Sequence, residues 1–511
     1  MDELMERETA QKTPVKLSQE ALKDLPEGVA GPGYDRASLK LGIIHIGLGN
    51  FHRAHQAWYL HRLMQQGLAK DWAIIGAGVR PYDAAMRQKL LAQDCLTTLI
   101  ELAPGSVSAE ITGSMIDYLP IEDGNGALIR AMADPAIRIV SLTVTEGGYF
   151  VDPATGGLDA RHPDIRHDVE NSTRPCTVFG AIAAALKSRR DAGAGPFTVQ
   201  SCDNLRGNGT ATRQAVVSLA RLTDPELADW IDQCCSFPNS MVDCIVPATG
   251  PVEIALSREL GIEDAAPVTH ENYRQWVIED DFCAGRPGWD KAGAVFTPSV
   301  HDYEVMKIRI LNAGHQVLAN AGEMLSVETI ADCMAHPLIA ALFRKVQQKE
   351  IAPYVAAVPG MNPQDYAELI ERRFSNPAIR DTVRRVAFDG SSRHPGFVHP
   401  ILRDALAADG PIAGLSLVEA LWARMCTGTR EDKTGIEAND PYWEALTEAA
   451  MAARLHPQAW LEQQHIYGDL ATNQRFAVEF SRWLSLIWSE GCEAALRAYT
   501  GHEQAKGGLE T

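Results

Sequence analysis

The segment 41-LGIIHIGLGNFHRAHQAWYLHRLM-64 decides how the first part of the chain folds. An apolar, β-branched run leads directly into Gly47 and Gly49, and an amphipathic pattern follows them. Glycines between a strand and a helix allow a tight turn and let a pyrophosphate approach the backbone. The alternative is an ordinary turn that needs glycine for positive φ. We predict a dinucleotide-binding turn whose contact residues are Gly47, Gly49, Asn50, Phe51 and His52.

Three further apolar runs continue the alternation of strands and helices. They are WAIIGAGV (72–79), IRIVSLTVT (137–145) and FTVQSCDN (197–204). Continuous apolar strands separated by helices indicate a parallel sheet that is covered on both faces. Beyond about residue 300 the strand pattern vanishes, and helical periodicity covers 303–325, 327–348, 364–387, 400–408, 415–426, 440–454 and 475–498. The sequence therefore predicts an α/β Rossmann-type domain, with an N-terminal extension, at 1–296 and a mostly α-helical domain at 297–511.

Composition narrows the classes of function. The 511 residues include 47 Lys and Arg against 66 Asp and Glu, a net charge of −19, and the basic residues do not cluster as a nucleic-acid groove requires. The acidic amino terminus, MDELMERETAQKTPVKL, lacks the order of a secretory signal, and the chain has no long apolar run of membrane-span length. The ten cysteines show no CxxC spacing. We expect a cytoplasmic protein without zinc or disulfides that binds neither nucleic acid nor membrane, and a monomer, with a homo-oligomer left open.

The segment GVRPYD (78–83), at the end of the second predicted strand, bears on the choice of cofactor. The guanidinium of Arg80 could receive the 2′-phosphate of NADP, whereas the carboxylate of Asp83 would repel it and suit the ribose of NAD. These two side chains by themselves leave NAD and NADP open. His52 and His55 lie three residues apart at a helix start, and without a third ligand they favour helix capping or a cofactor contact over a metal site.

The helix that begins the second domain carries polar groups among leucines and isoleucines. On a wheel of about 100° per residue, four polar side chains share one side with Ile308 and Leu311, namely Glu304, Lys307, Asn312 and His315. A lysine in such a half-buried arc needs a partner or a chemical role, because burying an unpaired ammonium is unfavourable. The helix alone leaves open a structural pair with Glu304 and a catalytic lysine.

Seven segments together resemble the polyol-specific long-chain dehydrogenases. They are GIIHIGLGNFHRAHQ, TEGGYF, SCDNLRGNG, SFPNSMVD, QWVIEDDF, YEVMKIRILNAGH and RRVAFDGSSR, and they extend from about residue 41 to residue 400. A lysine, an asparagine five residues on and a histidine three further on match the catalytic signature of that family. The resemblance implies a metal-independent dehydrogenase that uses NAD.

The resemblance also implies a role for each matching residue. Lys307 would be the general base, with Glu304 relaying its proton to water, while the amides of Asn204 and Asn312 would hold the substrate oxygen. His315 would bind a substrate hydroxyl, and further substrate contacts would come from Asp243, Arg385 and Arg393. Asp83 matches the acidic residue near the adenosine ribose. Taken alone, Asn204 suits a turn, and Arg385 suits an ion pair with Asp381 one helical turn earlier.

One departure from the family pattern concerns the substrate. Arg393 stands where relatives commonly have lysine, so a planar fork of donors replaces a point charge. The implied reaction is oxidation of a secondary alcohol of a polyol to the ketose, with mannitol to fructose as the leading case. Alternatives are a fructuronate reductase-like enzyme acting on mannonate, a D-arabinitol 4-dehydrogenase and, outside enzymes, an NAD(H)-sensing protein.

Overall fold

The apolar run at residue 41 forms the central strand of a parallel sheet. In the computed structural model, which describes residues 13–152 and 155–501, the chain divides into two units, Met1–His301 and Asp302–Thr511. The described strands all lie in the first unit: β1 Val15–Lys16, β2 Leu41–Ile46, β3 Ala73–Ala77, β4 Thr97–Ala103, β5 Ser106–Thr112, β6 Met115–Tyr118, β7 Ile139–Leu142, β8 Thr198–Ser201, β9 Ser240–Asp243, β10 Ile262–Glu263, β11 Val268–Glu271, β12 Gln275–Glu279 and β13 Val295–Thr297.

The main sheet has five parallel strands in the order β6-β3-β2-β7-β8. Side chains of β2 alternate between two apolar cores, with Ile44 and Ile46 in one and Ile43 in the other. The sheet is therefore buried on both faces, and the predicted Rossmann-type sheet is confirmed.

Nine α-helices belong to the described part of this first unit. They are α1 Asn50–Ala54, α2 Gln56–Gln65, α3 Asp83–Leu91, α4 Gly126–Ala133, α5 Pro163–Glu170, α6 Val178–Ala192, α7 Asn208–Thr223, α8 Pro225–Cys234 and α9 Pro251–Glu259. Some of these helices begin with capping side chains. The Thr177 hydroxyl accepts a hydrogen bond from the Gly180 amide at the start of α6, and Asp224 caps α8 just before Pro225.

The first unit also contains smaller sheets, which the apolar runs did not predict. Antiparallel β4 and β5 are joined by β11, and β12 pairs with β9 and β13. The described part of the N-terminal extension packs on this unit, since β1 pairs with β10 and the buried Arg36 donates to the carbonyls of Gly113 and Met115. Residues 1–12 of the predicted extension lie outside the described residues.

The second unit is built of helices, as predicted. They are α10 His301–Met306, α11 Ala313–Met324, α12 Ile330–Ala335, α13 Pro337–Val346, α14 Pro363–Phe374, α15 Val383–Ala387, α16 Gly390–Arg393, α17 His399–Ala407, α18 Ala413–Met425, α19 Trp443–Ala453, α20 Gln458–Leu461, α21 Gln464–Tyr467, α22 Gln474–Glu490 and α23 Cys492–Thr500, with π-helical segments at Lys307–Asn312, Gln347–Ile351 and His394–Val398. The predicted segment 364–387 is two helices, and 475–498 is broken at Gly491, whose φ is 91°.

Two helices form the centre of the second unit. α18 is buried along its length, and α11 is buried on nearly every side. α11 contacts α13, α15 and α18, so it is held by several neighbouring helices. In the described part of the chain, no helix combines the length and the apolar character that a membrane crossing requires.

Candidate active site

The carboxyl edge of the five-stranded sheet has the geometry of a ligand crevice. Connections from β2 and β7, which are neighbours, lead away to opposite sides, and doubly wound sheets bind ligands at such a point. Gly47 has φ of 93°, and a Cβ there would lie 2.1 Å from the carbonyl oxygen of Thr143. The turn after β2 therefore requires glycine. At Gly49 an added Cβ would meet no described atom within 4 Å, so a ligand can approach its backbone closely.

The residues after this turn differ in exposure to that crevice. Asn50 donates through Nδ2 to the Pro247 carbonyl and the Thr249 hydroxyl, both at 2.9 Å, and it borders a cavity of about 380 Å³ in the first unit. Phe51 is half-buried and stacks on His55. His52 is buried and stacks on His45, and burial lowers its pKa well below the usual range. The His52 ring is thus packed as a neutral core group.

Asp83 and Arg80 fix the turn that follows β3. Oδ2 of Asp83 accepts hydrogen bonds from the backbone amides of Val79 (3.1 Å) and Arg80 (3.0 Å). The guanidinium of Arg80 pairs with Asp164 at 2.8 Å. The carboxylate predicted to bind the ribose therefore also holds its own loop in place.

The loop after β8 carries Asn204, which is exposed, next to the buried Asp203. Asp203 accepts from the amides of Val144 and Thr145 and from the hydroxyl of Tyr149. It thereby ties the loop after β7 to the loop that presents Asn204. Asp243 ends β9 and is buried, with its backbone paired to Gln275 of β12.

In the second unit, the predicted catalytic helix contains a π-helical segment that begins with Lys307 and ends with Asn312. Hydrogen bonds in a π-helix join residues five apart, so this turn brings Lys307 and Asn312 above one another. The α-helical wheel placed both residues on one side of the helix, about 140° apart. Glu304, Lys307 and Asn312 are all buried, each less than a tenth exposed.

A side chain from another helix supports this π turn. Nε2 of the buried Gln347 donates to the carbonyl oxygen of Ile310 at 2.7 Å. A Cβ on Gly314 would lie 2.6 Å from the same nitrogen, so Gln347 fits only because residue 314 is glycine. Nothing in the local sequence pattern singled out Gln347.

His315, the third member of the signature, lies one turn further on in α11. Its ring stacks on Phe374, with centroids 4.2 Å apart, and Nε2 is 3.8 Å from a carboxylate oxygen of Asp381. Burial lowers the pKa of His315 to about 3, against the raising effect of Asp381. The imidazole is therefore neutral at pH 7.

The two predicted arginines belong to the same unit and lie close enough to His315 for their charges to add to the lowering of its pKa that burial causes. Arg385 makes a two-point ion pair with Asp381, both contacts being 2.6 Å, as the structural alternative anticipated. Arg393 donates to the carbonyl of Val386 at 2.6 Å. Asp381 therefore links His315 to Arg385. The i, i+4 spacing predicts only the pair between Asp381 and Arg385, not the contact with His315.

Comparisons with known proteins identify the family. The profile described as mannitol dehydrogenase Rossmann domain matches residues 41–291, and that described as mannitol dehydrogenase C-terminal domain matches residues 299–488. A mannitol 2-dehydrogenase of Cereibacter sphaeroides is 54% identical over 475 residues, which cover 93% of this chain and 99% of the relative. The chain belongs to the mannitol dehydrogenase family.

Two solved structures resemble this chain over nearly its whole length. The ternary complex of Pseudomonas fluorescens mannitol 2-dehydrogenase with NAD and D-mannitol has a TM-score of 0.86 at 39% identity, covering 96% of this chain and 100% of that one. A D-sorbitol dehydrogenase in substrate-free form has a TM-score of 0.87 at 35% identity, covering 94% and 100%. The resemblance deduced from the sequence motifs is confirmed.

One group among the described residues of this family member could hold a metal ion. His167, Asp168 and Cys176 offer ligand atoms within 4.8 Å of one another. Asp168 already accepts from the amides of Cys176 and Thr177 and from the Thr177 hydroxyl, and burial raises the pKa of the Cys176 thiol to about 12. These contacts hold the start of α6 and leave the thiol protonated.

Proposed function

We propose that this protein oxidises D-mannitol to D-fructose with NAD and without a metal ion. The observation that carries the proposal is the buried π-helical turn from Lys307 to Asn312. It lies in a chain that is 54% identical to a mannitol 2-dehydrogenase. An amine and an amide held on one helix supply a base and a hydrogen-bond donor for an alcohol.

In the proposed reaction, Lys307 Nζ removes the proton of the hydroxyl that becomes the carbonyl. Burial disfavours an ammonium, so it helps the lysine to act as a neutral base. Asn312 donates to the oxygen on which negative charge develops, and Asn204 is proposed as a second amide donor for it. Glu304, one turn before the lysine, receives the proton and passes it to water.

The first unit has residues that fit NAD. Gly47 and Gly49 give a turn whose backbone is open to close approach, and Asn50 borders the adjacent cavity. Asp83 uses Oδ2 within its own loop, and we propose that Oδ1 accepts from the ribose hydroxyls. NAD, when bound, supplies the acceptor for the hydride of the alcohol carbon. Phe51, His52 and Arg80 complete the proposed cofactor side, with His52 acting through packing.

We propose that both neutral and charged side chains bind the hydroxyls of the substrate. His315 is neutral, and its Nε2 is buried without a hydrogen-bond partner among the described residues, so it is available to a hydroxyl. Arg385 and Arg393 bring positive charge in the second unit, and Asp243 is proposed as an acceptor from the first. This set suits a polyol that offers several donors and acceptors.

The test is the initial rate of NAD reduction, followed by absorbance, with D-mannitol, D-sorbitol, D-arabinitol and D-mannonate. We expect the largest kcat/KM with D-mannitol, with D-sorbitol as the nearest competitor. If D-mannonate is far better than every polyol, the polyol assignment is wrong. In that case Arg393→Lys should weaken mannonate more than mannitol, because two-point recognition of a carboxylate is lost while the charge remains.

The proposal includes a monomer that works in the cytoplasm. All ten cysteines are free thiols, which suits a reducing compartment. Light scattering after gel filtration should give the mass of one chain, 55.7 kDa. A mass of two chains or more would replace the monomer by an oligomer without affecting the proposed chemistry.

A further inference from the structure

Arg80 stands at the place where a nucleotide-binding sheet distinguishes NAD from NADP. In such sheets the end of the second strand carries either an acidic residue for the ribose hydroxyls or an arginine for the 2′-phosphate. This chain has both, since Arg80 and Asp83 belong to one turn after β3. The cofactor preference therefore depends on which partner the Arg80 guanidinium binds.

The structure shows that this guanidinium is already engaged. Nη2 of Arg80 donates to Oδ2 of Asp164, in the first turn of α5, at 2.8 Å. The hydrogen bond with Asp164 raises the pKa of Arg80 above its ordinary value. The two side chains are only about a third exposed, 36% and 31%, so solvent screens this pair less than a fully exposed one.

The backbone of the same turn is fixed independently of this pair. Asp83 holds the amides of Val79 and Arg80, and a Cβ on Gly78 would lie 2.5 Å from the Asp83 side chain. Loss of Asp164 would therefore free the guanidinium without releasing the loop. On the α5 side, the amide of Asp164 bonds to the ring of His162, a contact that does not involve the carboxylate.

We infer that Asp164 is a specificity-determining residue that keeps Arg80 from serving as a receptor for the 2′-phosphate of NADP. A guanidinium that makes an ion pair with a carboxylate has fewer N–H donors available to a phosphate, and the pair carries little net positive charge. Asp83 repels a phosphate directly, whereas Asp164 acts by occupying the neighbouring cation. The inference rests on the proposed cofactor site in the first unit.

The test uses two fragments that each carry two phosphates, 5′-ADP and 2′,5′-ADP, titrated into the full-length protein by calorimetry. Only 2′,5′-ADP has a phosphate on the ribose 2′ oxygen. For Asp164→Ala we expect tighter binding of 2′,5′-ADP by about tenfold, with binding of 5′-ADP unchanged, as for one charge-assisted phosphate contact. Asp164→Asn keeps the size of the side chain and should change affinity in the same direction. The gain should disappear in the double variant Asp164→Ala, Arg80→Ala.

A matched control is Asp232→Ala, which breaks the pair between Arg213 and Asp232, also 2.8 Å long, on α7 and α8. It should leave both affinities as in the wild type. An unchanged affinity of folded Asp164→Ala and Asp164→Asn for 2′,5′-ADP would overturn the inference, as would a gain that survives removal of Arg80. If the wild type fails to bind 5′-ADP, the proposed nucleotide site is itself wrong, and the inference falls with it.

Discussion

At the scale of the residue, two side chains of the second unit, His315 and Lys307, differ in the protonation state that their proposed roles require. His315 is kept neutral by burial, with its pKa lowered to about 3. Lys307 is buried one π turn from an amide and one α-helical turn from Glu304. A neutral imidazole suits recognition, and a lysine that exchanges a proton suits catalysis. The proposed division of labour between binding and chemistry follows from these surroundings.

Lys307→Ala should abolish most of the turnover. A general base contributes about 10²–10⁴ in rate, and we expect a loss of that order in kcat for D-mannitol. Binding of NADH, followed by fluorescence, should remain nearly intact, because the proposed cofactor residues lie in the first unit. Lys349→Ala, which removes an exposed lysine of another π-helical segment, is the matched control. Turnover close to that of the wild type in Lys307→Ala would reduce this lysine to a structural group.

The pH dependence should have opposite signs in the two directions. Oxidation needs the neutral amine, so its rate should rise with pH through a midpoint below about 10.4, the value for an ordinary lysine. Reduction of D-fructose needs the ammonium and should fall over the same range. The pH dependence is measured from initial rates of oxidation and of reduction at constant ionic strength. Parallel profiles would contradict a role for one shared proton-transfer group.

Asp83→Ala should narrow the preference for NAD over NADP by about tenfold, which corresponds to about 1.4 kcal/mol. The carboxylate repels a 2′-phosphate and is proposed to accept from the ribose hydroxyls. Because Asp83 also caps its own turn, some loss of affinity for both cofactors should accompany the change. The measurement is kcat/KM with each cofactor. A wild type that prefers NADP would show that the assignment of Asp83 is wrong.

At the scale of the element, the π turn shows where the sequence pattern stops being informative. Periodicity placed a helix over 303–325 and put the four polar groups on one side of it. The π turn within that segment accepts a hydrogen bond at the Ile310 carbonyl from Gln347, which lies 37 residues further along the chain. No local pattern encodes such a distant hydrogen bond.

The sheet elements show the same limit. Four of the five strands of the main sheet are continuous apolar runs and were predicted to within a few residues, whereas β6, Met115–Tyr118, was not predicted. β4 pairs with β11, which begins about 165 residues later, and that pairing is set by tertiary packing rather than by any local run. Asp203 and Tyr149 lay in recognised motifs, yet their mutual hydrogen bond, which orders the loop beside Asn204, appears only in the fold.

Gly314→Ala should damage catalysis through this π turn. Alanine favours a helix by about 1 kcal/mol over glycine, but its methyl group would displace Gln347, whose Nε2 lies 2.6 Å from the Cβ position. Because small misplacements of reacting groups are costly, we expect kcat to fall by about tenfold to a hundredfold. Gly396→Ala is the matched control, since that glycine lies in a π-helical segment and an added Cβ meets no described atom within 4 Å. Equal kcat values for the two variants would show that the position of Gln347 does not affect the geometry of the site.

At the scale of the whole molecule, buried histidines link stability to pH. Burial lowers the pKa to about 3 for His45, His61, His270 and His315. The unfolded chain binds these protons near pH 6.5, whereas the folded chain does not. The stability that comes from keeping them neutral is therefore present above about pH 6.5 and is lost as the pH falls towards 3.

Acidification should accordingly lower the urea midpoint of unfolding. Each pH unit below about 6.5 removes up to about 1.4 kcal/mol per buried histidine. We expect a clear decrease between about pH 7.5 and 5.5 and a smaller one between 8.5 and 7.5, measured by tryptophan fluorescence. A midpoint that stays constant down to pH 5.5 would mean that these rings are protonated in the folded protein.

The π-helical segment also has a consequence in terms of the coding sequence. A π turn holds one residue more than the α-helical turn it replaces, so the segment Lys307–Asn312 is equivalent to a single inserted codon within a helix. Removal of the codon for Arg309 should let the helix close as an ordinary α-helix, with its ends still packed on the same neighbours. Such a deletion should yield a folded protein in which Ile310 no longer offers its carbonyl to Gln347 and the spacing of lysine and asparagine is four. A reading frame shorter by three nucleotides would then encode nearly the same fold and a far poorer enzyme.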